Sequence, residues 1–194
     1  MTDREEFLEI FRTHVTRPGS EKLLDWMDSK TDFFSAPAST RFHGACEGGL
    51  CAHSLNVYRV LHGTFFTPDE DSEETFAICA LLHDLCKANF YKKGTRNVKN
   101  EATGQWEKVP SYSVEDLFPY GHGEKSVFLI ERFMKLHIEE AVAIRWHMGG
   151  FDDAARGGCF AISEAYDKYP LAVKLHIADL EATYLMEHRT SAVH

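Results

Sequence analysis

ICALLHDLCKA, from Ile78 to Ala88, reads as a mostly apolar helix with a histidine and an aspartate set into it side by side, His83 and Asp84. Burying an imidazole and a carboxylate among Ile78, Ala80, Leu81, Leu82 and Leu85 is costly unless something pairs with them. A metal ion is an economical partner, because neutral imidazole nitrogen and ionised carboxylate oxygen both ligate divalent first-row metals. Neighbours on a helix point roughly 100° apart, so convergence on one ion needs further ligands from other helices. The plainer alternative is a hydrogen-bonded His–Asp pair in a core.

The 194 residues form a chain long enough for one sizeable core. A hydrophobic content of 44% describes a globular chain rather than a disordered one. No apolar run approaches the ~20 residues that span a bilayer, and the start MTDREEFLEIF is too acidic for a signal peptide. The five cysteines (Cys46, Cys51, Cys79, Cys86 and Cys159) are odd in number and form no CxxC pair. They read as reduced thiols of a cytoplasmic protein. A net charge of −9 disfavours a long nucleic-acid duplex and suits a small anion held through bound cations. The eleven histidines are the compositional oddity.

Working outward, the pattern predicts helices over Asp3–His14, over EKLLDWMDSK with Ser20 as N-cap, and over Leu50–Phe65 carrying His53. Thr31 to Gly49 reads as a loop. Pro68 and the acidic run DEDSEE lead into the helix of His83, the acids favouring its N-terminal dipole. Asn89 to Tyr112 is polar, carries a Thr-Gly turn signal, and predicts a hairpin with strands near 89–98 and 105–112. Its Lys92, Lys93, Arg96, Lys99 and Lys108, with Tyr91, Trp106 and Tyr112, would either meet an anionic substrate bearing an aromatic base or simply keep the hairpin soluble. Helices return over Gly123–Leu136, Ile138–His147 and Phe160–Lys168, and Pro170 opens a last one, PLAVKLHIADLEATYLMEH.

Ligand-type residues recur in these apolar contexts at His53, His122, His147, His176 and Asp179. An unpaired carboxylate at Asp179, in LHIADLEA, would be destabilising if buried. His147, in WHMGG, sits where a helix opens into a glycine-rich loop.

Together these residues resemble the HD-domain superfamily of metal-dependent phosphohydrolases. FHGACEGGLCAHSLNV is similar to its first ligand helix and LLHDLCK to its HD-plus-lysine helix. PYGHGEKS and IRWHMGGFD resemble the two extra histidine positions of its two-metal members, and ADLEA its last ligand. The same stretches are similar to the HD domain of bacterial 3′–5′ exoribonucleases, which carry it beside an OB-fold that is not expected here. The resemblance spans about Arg41 to Leu185.

It implies an all-α fold, a single HD domain over 1–194 of seven or eight helices. Residues 1–40 would be an N-terminal helical extension and 89–114 a small β-hairpin insertion or flap. It implies a first metal on His53, His83, Asp84 and Asp179, with Asp84 bridging to a second on His122 and His147. Such imidazole-rich sets suit Fe, Mn, Co, Ni or Zn better than Mg. One ion, or two ~3.5–4 Å apart, would activate water for hydrolysis of a phosphomonoester or phosphodiester, of a nucleotide or short oligonucleotide. Lys87, four residues after His83 and so on its face of a regular helix, would neutralise a phosphate oxygen. His43 and Glu47 would contact substrate or support the ligands, and His176 would support Asp179 or take a core role. Arg145, two residues before His147, would point away from it. Two chains could pair through the N-terminal helices. A di-iron oxygenase on the same scaffold, a non-catalytic nucleotide sensor with a structural metal, and an accessory subunit of a larger complex are the alternatives.

Overall fold

A computed structural model describes residues 1–187. Nine α-helices and one two-stranded antiparallel hairpin occur among the described residues, as the all-α expectation with a small β insertion requires. None of the described helices is long and apolar enough to cross a membrane.

Helix α1 (Asp3–His14) starts at a reciprocal cap between Thr2 and Glu5 and buries Phe7 and Phe11. Helix α2 (Ser20–Lys30) buries Leu23, Leu24 and Met27. Ser20 is its first helical residue and is buried, not the N-cap; Gly19 caps it with φ +98°. A side chain at Gly19 would collide with the carbonyl of Phe133, so the close approach as well as φ selects glycine. Helix α3 (Gly49–Phe65) carries His53 on a buried face with Leu50, Val57 and Leu61.

At the centre is α4 (Glu73–Leu82), capped by Ser72 and buried continuously from Thr75 to Leu82. A helix apolar all round belongs in the middle of a core, and α4 packs against α1, α3 and α6 (Ile138–Trp146). The helix predicted to run on to Ala88 stops at Leu82. His83 keeps helical angles, Asp84 turns at φ −101° and ψ 19°, and Leu85–Lys87 forms a 3₁₀ turn. This kink cancels the helical divergence of His83 and Asp84, letting both face the same interior point.

The hairpin pairs β1 (Tyr91–Lys99) with β2 (Trp106–Val114), in register from Tyr91 opposite Val114 to Lys99 opposite Trp106. Both strands are mostly exposed. Helix α5 (His122–Glu131) packs on α6 and on the 3₁₀ turn, and it ends short of the predicted Leu136. There the Glu131 carboxylate takes the N–H of Leu136 instead of a further helical turn forming. A short α7 (Asp153–Arg156) and α8 (Ala161–Lys168) lead to α9 (Pro170–Glu181), which packs against α3 and α6. Residues Ala182–Met186 loosen into a π-helical turn that delivers Glu187 back to α3. His188, the last residue of the predicted final helix, lies outside the described residues.

Candidate metal centre

Five separate elements bring the six sequence-singled ligand residues into one largely buried cluster. His53 comes from α3, His83 and Asp84 from the end of α4, His122 from the first turn of α5, His147 from the end of α6 and Asp179 from α9. The Nε2 atom of His53 lies 3.3 Å from Nε2 of His83, 3.2 Å from an Asp179 oxygen and 3.5 Å from Oδ2 of Asp84. Oδ1 of Asp84 is 2.8 Å from Nε2 of His122 and 3.5 Å from Nε2 of His147.

The outward nitrogens fix what the inward ones offer. Nδ1–H of His83 donates to the carbonyl of Ala80 at 2.8 Å, and Nδ1–H of His147 to that of Ile144 at 2.7 Å. Nδ1–H of His53 donates to the Glu187 carboxylate at 2.9 Å. With Nδ1 as the donor, the neutral form of each ring presents its Nε2 lone pair inward, the form in which an imidazole ligates a metal. Burial holds the His147 imidazole below its ordinary pKa despite Asp84, so that ring is neutral. Its buried Nε2 has no hydrogen-bond partner. Imidazole nitrogens thus converge on two carboxylates, an arrangement that is unfavourable unless positive charge, as protons or as a metal ion, sits among them. The donor set fits a divalent transition metal, with the outer hydrogen bonds orienting the ligands.

The titration of these groups reports the same demand for positive charge. Burial opposes a charge on His53, but Asp179 and Glu187 outweigh it and carry its pKa up to about 9. His122 rises to about 10, burial being overcome by Cys86 and Asp84. Burial would raise the Asp84 carboxyl, yet Lys87 and the surrounding imidazoles hold it well below the usual carboxylate range. Asp179 is likewise lowered, burial being outweighed by His53.

Lys87 reaches this cluster through the 3₁₀ turn, not along a continuous helix face. Its Nζ pairs with Oδ2 of Asp84 at 2.7 Å, and that pairing overcomes burial to keep the ammonium charged. His43 packs beside His53 with ring centroids 4.9 Å apart, and both its nitrogens are buried without a partner. Burial, helped by His53 and Lys87, lowers its pKa to about 4. Glu47 is not brought in: it is exposed and pairs with Lys93 of the hairpin at 3.1 Å. His176 does not support Asp179, since its Nδ1–H donates to the backbone carbonyl of His147 at 2.7 Å. Its ring occupies the space a side chain at Gly149 would need. Arg145 points away from the cluster, as its spacing predicts, and pairs with Asp152 at 2.8 Å.

Beside His122 opens a cavity of about 390 Å³ lined by Cys86, Lys87, Phe90, Asp116, His122 and Lys125 among others. Lys125 is nearly buried there, paired with Asp116 at 2.6 Å and lying 5.0 Å from the centroid of Phe90. Sequence reasoning missed Glu187, Cys86 and this Lys125–Phe90 wall. Glu187 follows Asp179 by eight residues, a spacing that faces α3 only because of the π turn. Cys86 did carry a signal, lying two residues after Asp84 in the central stretch.

A family model described as HD domain matches residues 50–183, more than half of the chain and a span that includes all six clustered ligands. The chain belongs to the HD-domain family. Membership places it in a superfamily of metal-dependent phosphohydrolases, and its buried His/Asp groups are candidate metal ligands. No curated protein and no solved structure matches it. Of the residues around the cluster, His43 and Glu187 lie outside the matched span.

Proposed function

We propose that this HD domain hydrolyses a phosphomonoester or phosphodiester of a nucleotide or short oligonucleotide, using one or two divalent transition metal ions. The observation that carries the reading is the convergence of inward Nε2 lone pairs from His53, His83 and His147 on Asp84 and Asp179. His53, His83, Asp84 and Asp179 would hold one ion, and Asp84, His122 and His147 a second. When bound, the ions would supply Lewis acidity and an acidified water.

The chain's own residues then divide the remaining work. Lys87, kept charged beside Asp84 and lining the cavity, offers N–H donors to a phosphate oxygen. His43, neutral and with unused ring nitrogens, stands on the His53 side to contact substrate or water. Phe90 and Lys125 give the cavity a flat apolar surface and a cation. A cavity of about 390 Å³ and a net charge of −9 support a small substrate over a long RNA. Residues 1–40 and the hairpin at 89–114 decorate this single unit, and two of the hairpin's lysines are occupied by Glu47 and Glu115.

The test is product release from a panel of nucleotides, cyclic dinucleotides and short RNA by Mn²⁺-, Fe²⁺- or Ni²⁺-loaded protein, with Asp84→Ala as control. Turnover by the wild type that vanishes in the control is the expected result. Bound metal without turnover across the panel would overturn the hydrolase reading.

A further inference from the structure

We infer that Cys86 supplies a thiolate ligand to the half of the metal centre built from Asp84, His122 and His147. The inference rests on the metal-centre reading above and adds to it a sulfur donor. Sγ of Cys86 lies 3.5 Å from Nδ1 and 3.7 Å from Nε2 of His122. One ligand atom from each of Asp84, Cys86 and His122 falls within 4.8 Å of the others. Around a tetrahedral ion with metal–nitrogen and metal–sulfur bonds of roughly 2.0 and 2.3 Å, donor atoms stand about 3.3 to 3.7 Å apart. The 3.7 Å from Cys86 Sγ to His122 Nε2, the nitrogen that faces Asp84, matches that edge, as does the 3.5 Å between Asp84 Oδ1 and His147 Nε2.

A sulfur–imidazole hydrogen bond alone would satisfy Cys86 and His122, but it leaves His147 unexplained. That ring is wholly buried, directed at the same Asp84 oxygen that His122 contacts, and its Nε2 has no partner. One cation among Asp84, Cys86, His122 and His147 satisfies all four groups. The thiol is also held in place: the Cys86 backbone N–H donates to Ser126 Oγ at 3.0 Å, fixing the 3₁₀ turn against α5. The other cysteines are placed differently, with Cys51 and Cys79 in the apolar core and Cys46 and Cys159 exposed.

The chemistry has a consequence for the metal. Two imidazoles, a carboxylate and a thiolate form a mixed set in which the two anions balance a divalent ion. Thiolate is a soft donor, so this half of the centre would favour Zn²⁺, Co²⁺ or Fe²⁺ over Mn²⁺ and Mg²⁺. Loss of the sulfur should cost at least the roughly 10–100-fold in affinity that losing an outer partner of a metal ligand costs.

Cobalt reports each ligand type separately. Co²⁺ titrated into metal-free full-length protein should give visible d–d bands together with an ultraviolet thiolate-to-cobalt charge-transfer band. Cys86→Ser should lose the ultraviolet band and keep an unchanged circular dichroism spectrum. A Cys46→Ser/Cys159→Ser variant, altered only at exposed thiols, should keep the band. Visible bands without the ultraviolet band in the wild type, or an ultraviolet band that survives Cys86→Ser, would overturn the inference while leaving the His/Asp centre standing. Failure of cobalt to bind would overturn both.

Discussion

Two buried polar clusters sit either side of α4, and only one of them is complete by itself. Near its start, Arg17 donates to both oxygens of Glu140 at 2.7 and 2.8 Å and to Glu74 at 3.2 Å. The Thr75 hydroxyl and the His137 N–H also donate to Glu140, each at 2.8 Å, and the N–H groups of Thr16 and Arg17 to Glu74. Donors meet acceptors throughout, so this cluster ties the α1–α2 connection to α4 and α6 and asks for nothing more. At the other end of α4, His53, His83, Asp84, His147 and Asp179 crowd imidazole nitrogens against carboxylates and leave the buried Nε2 of His147 without a partner. The contrast separates a structural ion network from a ligand site: both are buried and charged, and the difference lies in whether the hydrogen-bond inventory closes.

Substitution should break the two clusters in different ways. Asp84→Asn should bring turnover to background in the nucleotide panel and abolish metal retention. Glu140→Gln should leave metal content unchanged but cost about 3–5 kcal/mol in urea unfolding, the scale of a broken buried ion pair. Chelation sharpens the same divide. Metal present at about 100 times its Kd should stabilise the wild type by about 2.7 kcal/mol relative to chelated protein, read by thermal unfolding. Glu140→Gln should keep that increment and Asp84→Asn should lose it.

The HD stretch, the residues that gather around it and the hairpin were legible because each is a local signal. His83-Asp84 and Asp179 announce themselves as polar groups among Leu and Ala, and Asn89–Tyr112 as a polar segment with a turn. The ends of α4 and α9 were not legible. Nothing in LLHDLCK says that the helix yields to a 3₁₀ turn, and its apolar period continues past the point where the backbone kinks. That kink is set by packing against α5 through Ser126, a contact that lies 40 residues away in sequence. For the same reason Lys87 was tied to His83, whereas its partner is Asp84. Glu187 was unreadable because a π turn changes which residues share a face.

Two smaller effects test one carboxylate at the edge of each cluster. Glu187→Gln weakens the acceptor that orients His53 and should lower metal affinity by roughly 10–100-fold, measured by competition with a chelating dye. Of the two Glu74 partners in the self-contained cluster, burial would raise its carboxyl, but the N–H groups of Thr16 and Arg17 and the Arg17 guanidinium hold it below the usual value. A lowered native pKa means the unfolded chain binds the proton first, so this stabilisation is present above about pH 4.3 and lost as pH falls through the native value. Glu74→Gln should therefore flatten the acid limb of the stability curve in urea unfolding from about pH 6 to about pH 3, with no change in metal content.

The most direct test of the account is the metal content of wild type, Glu140→Gln and Asp84→Asn after saturation with Mn²⁺ or Zn²⁺ and gel filtration. Wild type and Glu140→Gln should retain the ion in stoichiometric amount and Asp84→Asn should not, all three showing folded circular dichroism spectra. A folded wild type that retains no ion, or an Asp84→Asn protein that retains as much as the wild type, would contradict the claim that the cluster around Asp84 is built for a cation.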